Sequence, residues 1–263
     1  MDLSLQGKVA LVAASSSGIG KAIAMGLALE GVHVSIFSRN LAAVEQAASE
    51  ISAVSQGKVL YRSCDLGKVE QLEETVRFTE DALGPIEILV NNQGGPAPGG
   101  FDEITEAEIR TALKVNLESV LLLSRLCLPA MKHRGWGRIL NILSFTAREP
   151  APGMFLSNML RPAVAGFAKT LAYEVARFGI TVNSLLPGSV LTKRSASLLE
   201  AKARRLGQDI KKVEADTLAA VPIGRFAGPD EIAALAVFLC SPKAAYITGA
   251  CLPIDGGLTR GLF

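Results

Sequence analysis

Chemistry first enters this chain between Ala13 and Gly20, where Ala-Ala-Ser-Ser-Ser-Gly-Ile-Gly follows an apolar run. Small residues at 13–17 and glycines at 18 and 20 let a backbone approach a bulky anion, and a helix starting there turns its first amides toward it. A dinucleotide pyrophosphate is the anion that suits this pattern, although the same glycines would also serve an ordinary strand-to-helix turn. Further on, Asn116 is polar inside the apolar stretch 113–123, and Ser144 carries a hydroxyl at the end of another apolar run. Asn116 is either a residue aimed at a ligand or water, or a buried amide satisfied by backbone. Ser144 is either a site hydroxyl or a loop serine making a local turn bond.

Positioning such residues requires a frame, and the hydrophobic periodicity supplies one. Apolar runs at 9–12, 32–37, 59–63, 86–90, 138–143 and 181–185 read as strands. Helical patterns fill the intervals at 21–30, 40–54, 68–83, 106–133 and 154–178, with a loop over 93–101, and a last strand falls at 252–254. Strands alternating with helices through short connections predict a doubly wound α/β fold, a single domain with about seven parallel strands and helices on both faces. Ligands of such sheets sit beyond the carboxyl ends of the strands. One region breaks the rhythm: residues 192–220 are helical in composition and highly charged, where a short connection is expected, and read as an insertion lying over the site like a lid.

Composition narrows the partners. The chain has 263 residues, 49% of them hydrophobic, enough for one large core. Its net charge of +2, with no isolated basic tract, gives no footprint for nucleic acid. Cys64, Cys127, Cys240 and Cys251 are scattered without a C-x-x-C pair, which argues for buried thiols in a reducing cytoplasm and against a zinc or other metal site. The start, MDLSLQGKVAL, lacks a basic region followed by a long apolar one, and no apolar run is long enough to span a bilayer, so neither secretion nor membrane insertion is expected. His33 and His133 read as surface residues. A small molecule is the expected partner.

With these residues in view, the chain resembles the short-chain dehydrogenase/reductase family, particularly members similar to 3-oxoacyl-(acyl-carrier-protein) reductases. The family's T-G-x-x-x-G-x-G turn matches 13–20, with Ala13 for the threonine and Ala14 for the first glycine. That exchange is harmless only if the backbone at Ala14 avoids positive φ. The resemblance implies cofactor contacts from Ala14, Ser16, Ser17, Gly18, Ile19 and Gly20, from Asp65-Leu66 at the adenine, and from Asn92-Gln93-Gly94, where glutamine replaces the usual alanine. Pro187, Gly188 and Thr192 extend the set. Ser38-Arg39 stands where an acidic residue would select NAD. A guanidinium there can grip an extra phosphate and stack on adenine, so NADP(H) is expected over NAD(H).

The implied chemistry is hydride transfer between the nicotinamide and a carbonyl or alcohol, with Ser144 orienting the carbonyl and Asn116 holding a relay water. The family's Y-x-x-x-K pair is missing. The following segment, 163–169, fixes the register, and the thirteen-residue step from Ser144 confirms it: Ser157 takes the tyrosine's place and Arg161 the lysine's. Serine is a far weaker acid than a phenol, and arginine keeps its proton. Arg161 can still hold a ribose or phosphate, polarise a carbonyl or bind a substrate carboxylate. Pro162 predicts a kink beside it. Two functions follow: an oxidoreductase with an unconventional proton source, or a binding protein that holds NADP(H) without turnover. Helices 106–133 and 154–178 resemble the pair through which family members associate, which implies a homotetramer or homodimer.

Overall fold

Alternate residues of the central strands enter opposite cores. In the computed structural model, which describes residues 2–262, Ala10 and Val12 face one layer of helices while Val9 and Leu11 face the other. Both sets are buried, and each large aliphatic side chain removed from water contributes about 1.5–3 kcal/mol. Strands buried on both faces read as continuous apolar runs, which is why they are legible in the sequence.

The first half alternates as β1 (Val9–Val12), α1 (Gly18–Leu29), β2 (His33–Ser38), α2 (Leu41–Ser52), β3 (Val59–Ser63), α3 (Val69–Leu83) and β4 (Ile88–Asn92). There follow α4 (Glu106–Leu113), α5 (Ser119–Arg134), β5 (Gly137–Ile142), α6 (Phe155–Val175), β6 (Ile180–Pro187), α7 (Lys193–Leu206), α8 (Ile210–Ala219), α9 (Pro229–Cys240) and β7 (Cys251–Ile254). Among the described residues, seven parallel strands form one sheet in the order β3-β2-β1-β4-β5-β6-β7. The doubly wound α/β class expected from the alternation is the fold. Residues from α1, α2 and α9 pack on one face, and residues from α3, α5 and α6 on the other. The order reverses between β1 and β4, which opens a crevice at their carboxyl ends.

One local expectation changes and two gain detail. The helix expected over 106–133 is divided: α4 ends at Leu113, a π turn occupies Lys114–Glu118, and α5 carries on to Arg134. The wider turn absorbs an extra residue in the middle of the apolar pattern, so periodicity alone reads straight through it. Pro162, where a kink is expected, lies inside α6, which spans Phe155 to Val175. Pro162 lies on the exposed face, where water can take the carbonyl that the missing amide leaves unpaired. The charged insertion is two helices, α7 and α8, separated at Gly207, whose φ of 60° ends α7 in a left-handed cap. Among the described residues, no helix is long and apolar enough to cross a membrane and no cluster of metal-ligating side chains occurs. At the sheet's edge, β7 carries Pro253 opposite Leu186 of β6.

Candidate active site

The turn after β1 is built on two left-handed residues. Gly18 has φ 58° at no steric cost, but Ala14 has φ 46°, the conformation that the family glycine would supply freely. The condition under which alanine would be harmless therefore fails, and Ala14 carries a backbone strain of about 1–2 kcal/mol. Ser17 is the N-cap of α1 without a side-chain capping bond, and the first turn holds no acidic residue, so the leading amides remain for an anion. Asn92 crosses the crevice from β4. Its Nδ2 donates to the carbonyls of Ala13 (3.2 Å) and Ala14 (3.1 Å), tying the two halves of the sheet where the order reverses. Gly20 must lack a side chain, since a Cβ there would lie 2.8 Å from the Ala14 carbonyl.

The candidate polar groups come from the end of β5, from α6 and from the π turn. Ser144 lies just past β5 and accepts a hydrogen bond from the Thr146 amide at 3.2 Å, which leaves its O–H to donate elsewhere. Ser157 is buried in the first turn of α6, with its Oγ 2.9 Å from the Thr146 hydroxyl. One turn later, Arg161 is only 4% exposed; its Nη1 donates to the Ile142 carbonyl at 3.3 Å and its Nε has no partner. Burial, with the neighbouring Arg194 charge, lowers its pKa to about 10. Asn116 sits in the π turn, and its Nδ2 donates to the Gly94 carbonyl at 2.7 Å. Gln93, also 4% exposed, has neither amide atom hydrogen-bonded.

These elements surround one cleft of about 1010 Å³ at the carboxyl ends of the strands. Its floor includes Ala14, Asn92, Gln93, Ser144, Ser157 and Arg161, and its far wall is α7. Thr192 caps α7, its Oγ1 accepting from the Ser195 amide at 3.1 Å, and faces the glycine-rich turn: a Cβ at Gly18 would lie 3.3 Å from the Thr192 methyl. Arg194 donates to the Pro96 carbonyl, which fastens α7 to the loop after β4. The tyrosines lie elsewhere. Tyr61 bonds Glu45 on an exposed edge, and Tyr173 and Tyr246 project into solvent, so no phenol reaches the cleft.

Comparison with known proteins places this arrangement. The family model described as "Enoyl-(Acyl carrier protein) reductase" matches residues 13–259. The D-beta-hydroxybutyrate dehydrogenase of Cupriavidus necator is 34% identical over 255 residues, covering 96% of this chain and 98% of that protein. This chain belongs to the short-chain dehydrogenase/reductase family. L-sorbose reductase from Gluconobacter frateurii, solved with NADPH and L-sorbose, superposes with a TM-score of 0.93 at 33% identity over the whole of both chains. An actinorhodin polyketide ketoreductase variant solved with NADPH gives 0.92 at 33% identity, covering 97% of this chain and 98% of that one. The protein is thus an oxidoreductase of that family.

Within this short-chain dehydrogenase/reductase, the residues singled out from sequence divide into two groups. Ala14, Ser17, Gly18, Ile19, Asn92, Gln93, Gly94, Ser144, Ser157, Arg161, Pro187, Gly188 and Thr192 all line the cleft. Ser16, Gly20, Ser38, Arg39, Asp65, Leu66 and Asn116 do not line it directly. Gly20 and Asn116 support its walls, whereas Ser38 and Arg39 lie at the end of β2 and Arg39 is exposed. The Asp65 carboxylate accepts from the Gly67 amide at 3.0 Å, and Leu66 packs into the core beside Leu72 and Val76, so the Leu66 side chain is not free for a ligand. Two residues were missed. Thr146 holds Ser157, and Arg194 faces the Gly94–Pro96 loop; the only sequence signal for Arg194 was its place two residues after Thr192.

Proposed function

We propose that this chain is an NADP(H)-dependent oxidoreductase that interconverts a carbonyl and an alcohol, 3-oxoacyl compounds being one candidate class. The observation that carries this reading is the convergence of the glycine-rich turn, Asn92-Gln93-Gly94, Ser144, Arg161 and Pro187-Gly188 with Thr192 on one cleft. The residues present fit a dinucleotide: Gly94 faces open space where a Cβ would meet nothing, α1 offers uncapped amides, and Gln93 and Arg161 keep unpaired polar atoms. In the proposal the glycine-rich turn cradles the pyrophosphate, Ser38-Arg39 receive the additional phosphate, the Asp65 carboxylate and the Leu66 backbone border the adenine, and Arg161 lies beside the nicotinamide ribose with its Nε still free. NADP(H), when bound, supplies or accepts the hydride.

The chain's own residues orient and polarise. Ser144 donates its free O–H to the substrate oxygen, and Asn116, pinned to Gly94, turns its remaining amide oxygen toward a relay water. Arg161 stays protonated at neutral pH even with a pKa near 10 and so stabilises negative charge without giving up its proton. Ser157, a weak acid already bonded to Thr146, does not deliver the proton. That proton comes from water, the ribose or the substrate itself. Helices α7 and α8 act as a lid, and association through α4, α5 and α6 gives a homodimer or homotetramer in the cytoplasm.

The test follows NADPH oxidation against keto-esters, quinones and acyl ketones, with the Ser157→Tyr, Arg161→Lys double variant beside the wild type. Turnover by the wild type with little gain in the variant supports the proposed site. Turnover by the variant alone reassigns the protein as a cofactor-holding relative that has lost catalysis.

A further inference from the structure

The walls of the cleft are unusually one-sided in charge. Arg161, Arg194, Lys202 and Arg205 line it together with Lys193 and Arg204, against a single carboxylate, Glu103. Glu103 is already committed: its Oε2 accepts from the Gly100 amide at 2.6 Å. No carboxylate pairs with Arg161 or Arg194 among the described residues. Buried guanidinium groups normally have their N–H donors satisfied, because an unpaired buried donor costs its full desolvation. Here both Arg161 and Arg194 keep a buried Nε–H without an acceptor. The Gln93 amide, 4% exposed and lining the same space, is unpaired at both atoms.

The two arginines are also held in place. Arg161 is anchored on Ile142, and Arg194 is anchored on Pro96 with its guanidinium packed on Gly95, where a Cβ would stand 3.1 Å from Nε. Two fixed cations that repel one another and have no counter-ion describe a receptor whose partner is a ligand. We propose that the cleft binds an oxyanion, a carboxylate or phosphate, between Arg161 and Arg194, with the Gln93 amide donating to the same group. This rests on the oxidoreductase reading of the cleft and narrows its substrate: the compound turned over is an acid, carrying its charge close to the reacting carbon. The same chemistry could be supplied by a phosphate of the dinucleotide, so cofactor-free and cofactor-loaded protein must be compared.

The experiment measures binding, so that it is independent of turnover. NADPH fluorescence first shows whether the cofactor binds; failure there overturns the oxidoreductase reading alone. Calorimetric titration with acetoacetate, its uncharged methyl ester and inorganic phosphate is then run on cofactor-free protein and on protein saturated with NADP+, which cannot reduce either ketone. Expected is a preference of about tenfold or more for acetoacetate over the ester on loaded protein, lost in Arg194→Gln and largely kept in Arg194→Lys. If phosphate binds the free protein, depends on Arg194 and is displaced by NADP+, with no acid preference remaining afterwards, the oxyanion site stands but its occupant is the cofactor, and the acidic-substrate assignment is overturned. If acids and phosphate bind no better than the ester in either state, or if Arg194→Gln changes nothing while thermal unfolding shows it folded, the receptor itself is refuted.

Discussion

Replacing Arg161 by methionine should make the protein more stable while disabling it. The guanidinium is 4% exposed, faces no carboxylate, leaves Nε unpaired and makes one hydrogen bond, to the Ile142 carbonyl. A fall in pKa to about 10 from the ordinary arginine value represents about 3 kcal/mol of penalty on the charged form, at about 1.4 kcal/mol per tenfold change in proton affinity. Losing the charge-assisted bond to Ile142 returns about 1–2 kcal/mol of that. Methionine fills much of the same volume, so the net gain is about 1–2 kcal/mol, within the range seen when buried charges give way to apolar side chains. Urea unfolding of cofactor-free protein at pH 7 should show a higher midpoint at unchanged slope, and the melting temperature should rise by about 3–6 °C. The pH dependence has a definite sign. Burial makes the folded state bind this proton less tightly than the unfolded chain does, so the penalty is complete below about pH 9 and fades as pH rises through about 10. The advantage of the methionine variant must therefore shrink in strong alkali. A variant less stable than wild type would show that Arg161 is a satisfied structural member and would refute its reading as an unpaired functional cation.

Other expectations concern neighbouring parts of the site. Ala14→Gly removes a left-handed alanine worth about 1–2 kcal/mol of strain but frees the unfolded chain by about 0.4–1 kcal/mol, so urea unfolding should report a net gain of up to about 1.5 kcal/mol. Asn92→Ala unties the Ala13 and Ala14 carbonyls from β4, and NADPH fluorescence titration should show affinity lower by about tenfold. Arg39→Asp should weaken NADPH and leave NADH equal or better, read as a reversal in the ratio of the two dissociation constants. Cys64, Cys127 and Cys240 are buried, and burial pushes their thiols up, whereas Cys251 is half-buried; a thiol reagent on native protein should label Cys251 first and the others only on unfolding.

The frame is legible because the central strands are buried on both faces and most helices on one, so apolar runs and 3.6-residue patterns alternate clearly. Residues such as Ser144, Thr192 and Pro187-Gly188 are legible because the fold puts strand ends at the cleft. What escaped depends on atoms far apart in the chain. Nothing local announces that Ala14 must adopt positive φ, since that is imposed by the turn between β1 and α1 under the Asn92 side chain. The π turn at Lys114–Glu118 inserts a residue without altering composition, and it is what brings Asn116 to Gly94. Pro162 is accommodated inside α6 on its exposed face, a matter of tertiary orientation that the sequence does not display at that position. Arg194 looked like one of many charges on a solvated helix, and only the approach of α7 to the Gly94–Pro96 loop distinguishes it.

Pro253 in β7 has a consequence for how copies of this chain can meet. A sheet of parallel strands with open edges invites growth, since any edge that offers a full row of donors and acceptors can recruit another strand from a second molecule. The last strand has only four residues, and one of them has no amide hydrogen to offer. Strand addition at that margin is therefore short of bonds from the outset. The opposite edge is β3, five residues without proline, so strand pairing between copies is capped on one side: two β3 edges can meet, but a sheet continuing through both edges of every molecule does not propagate.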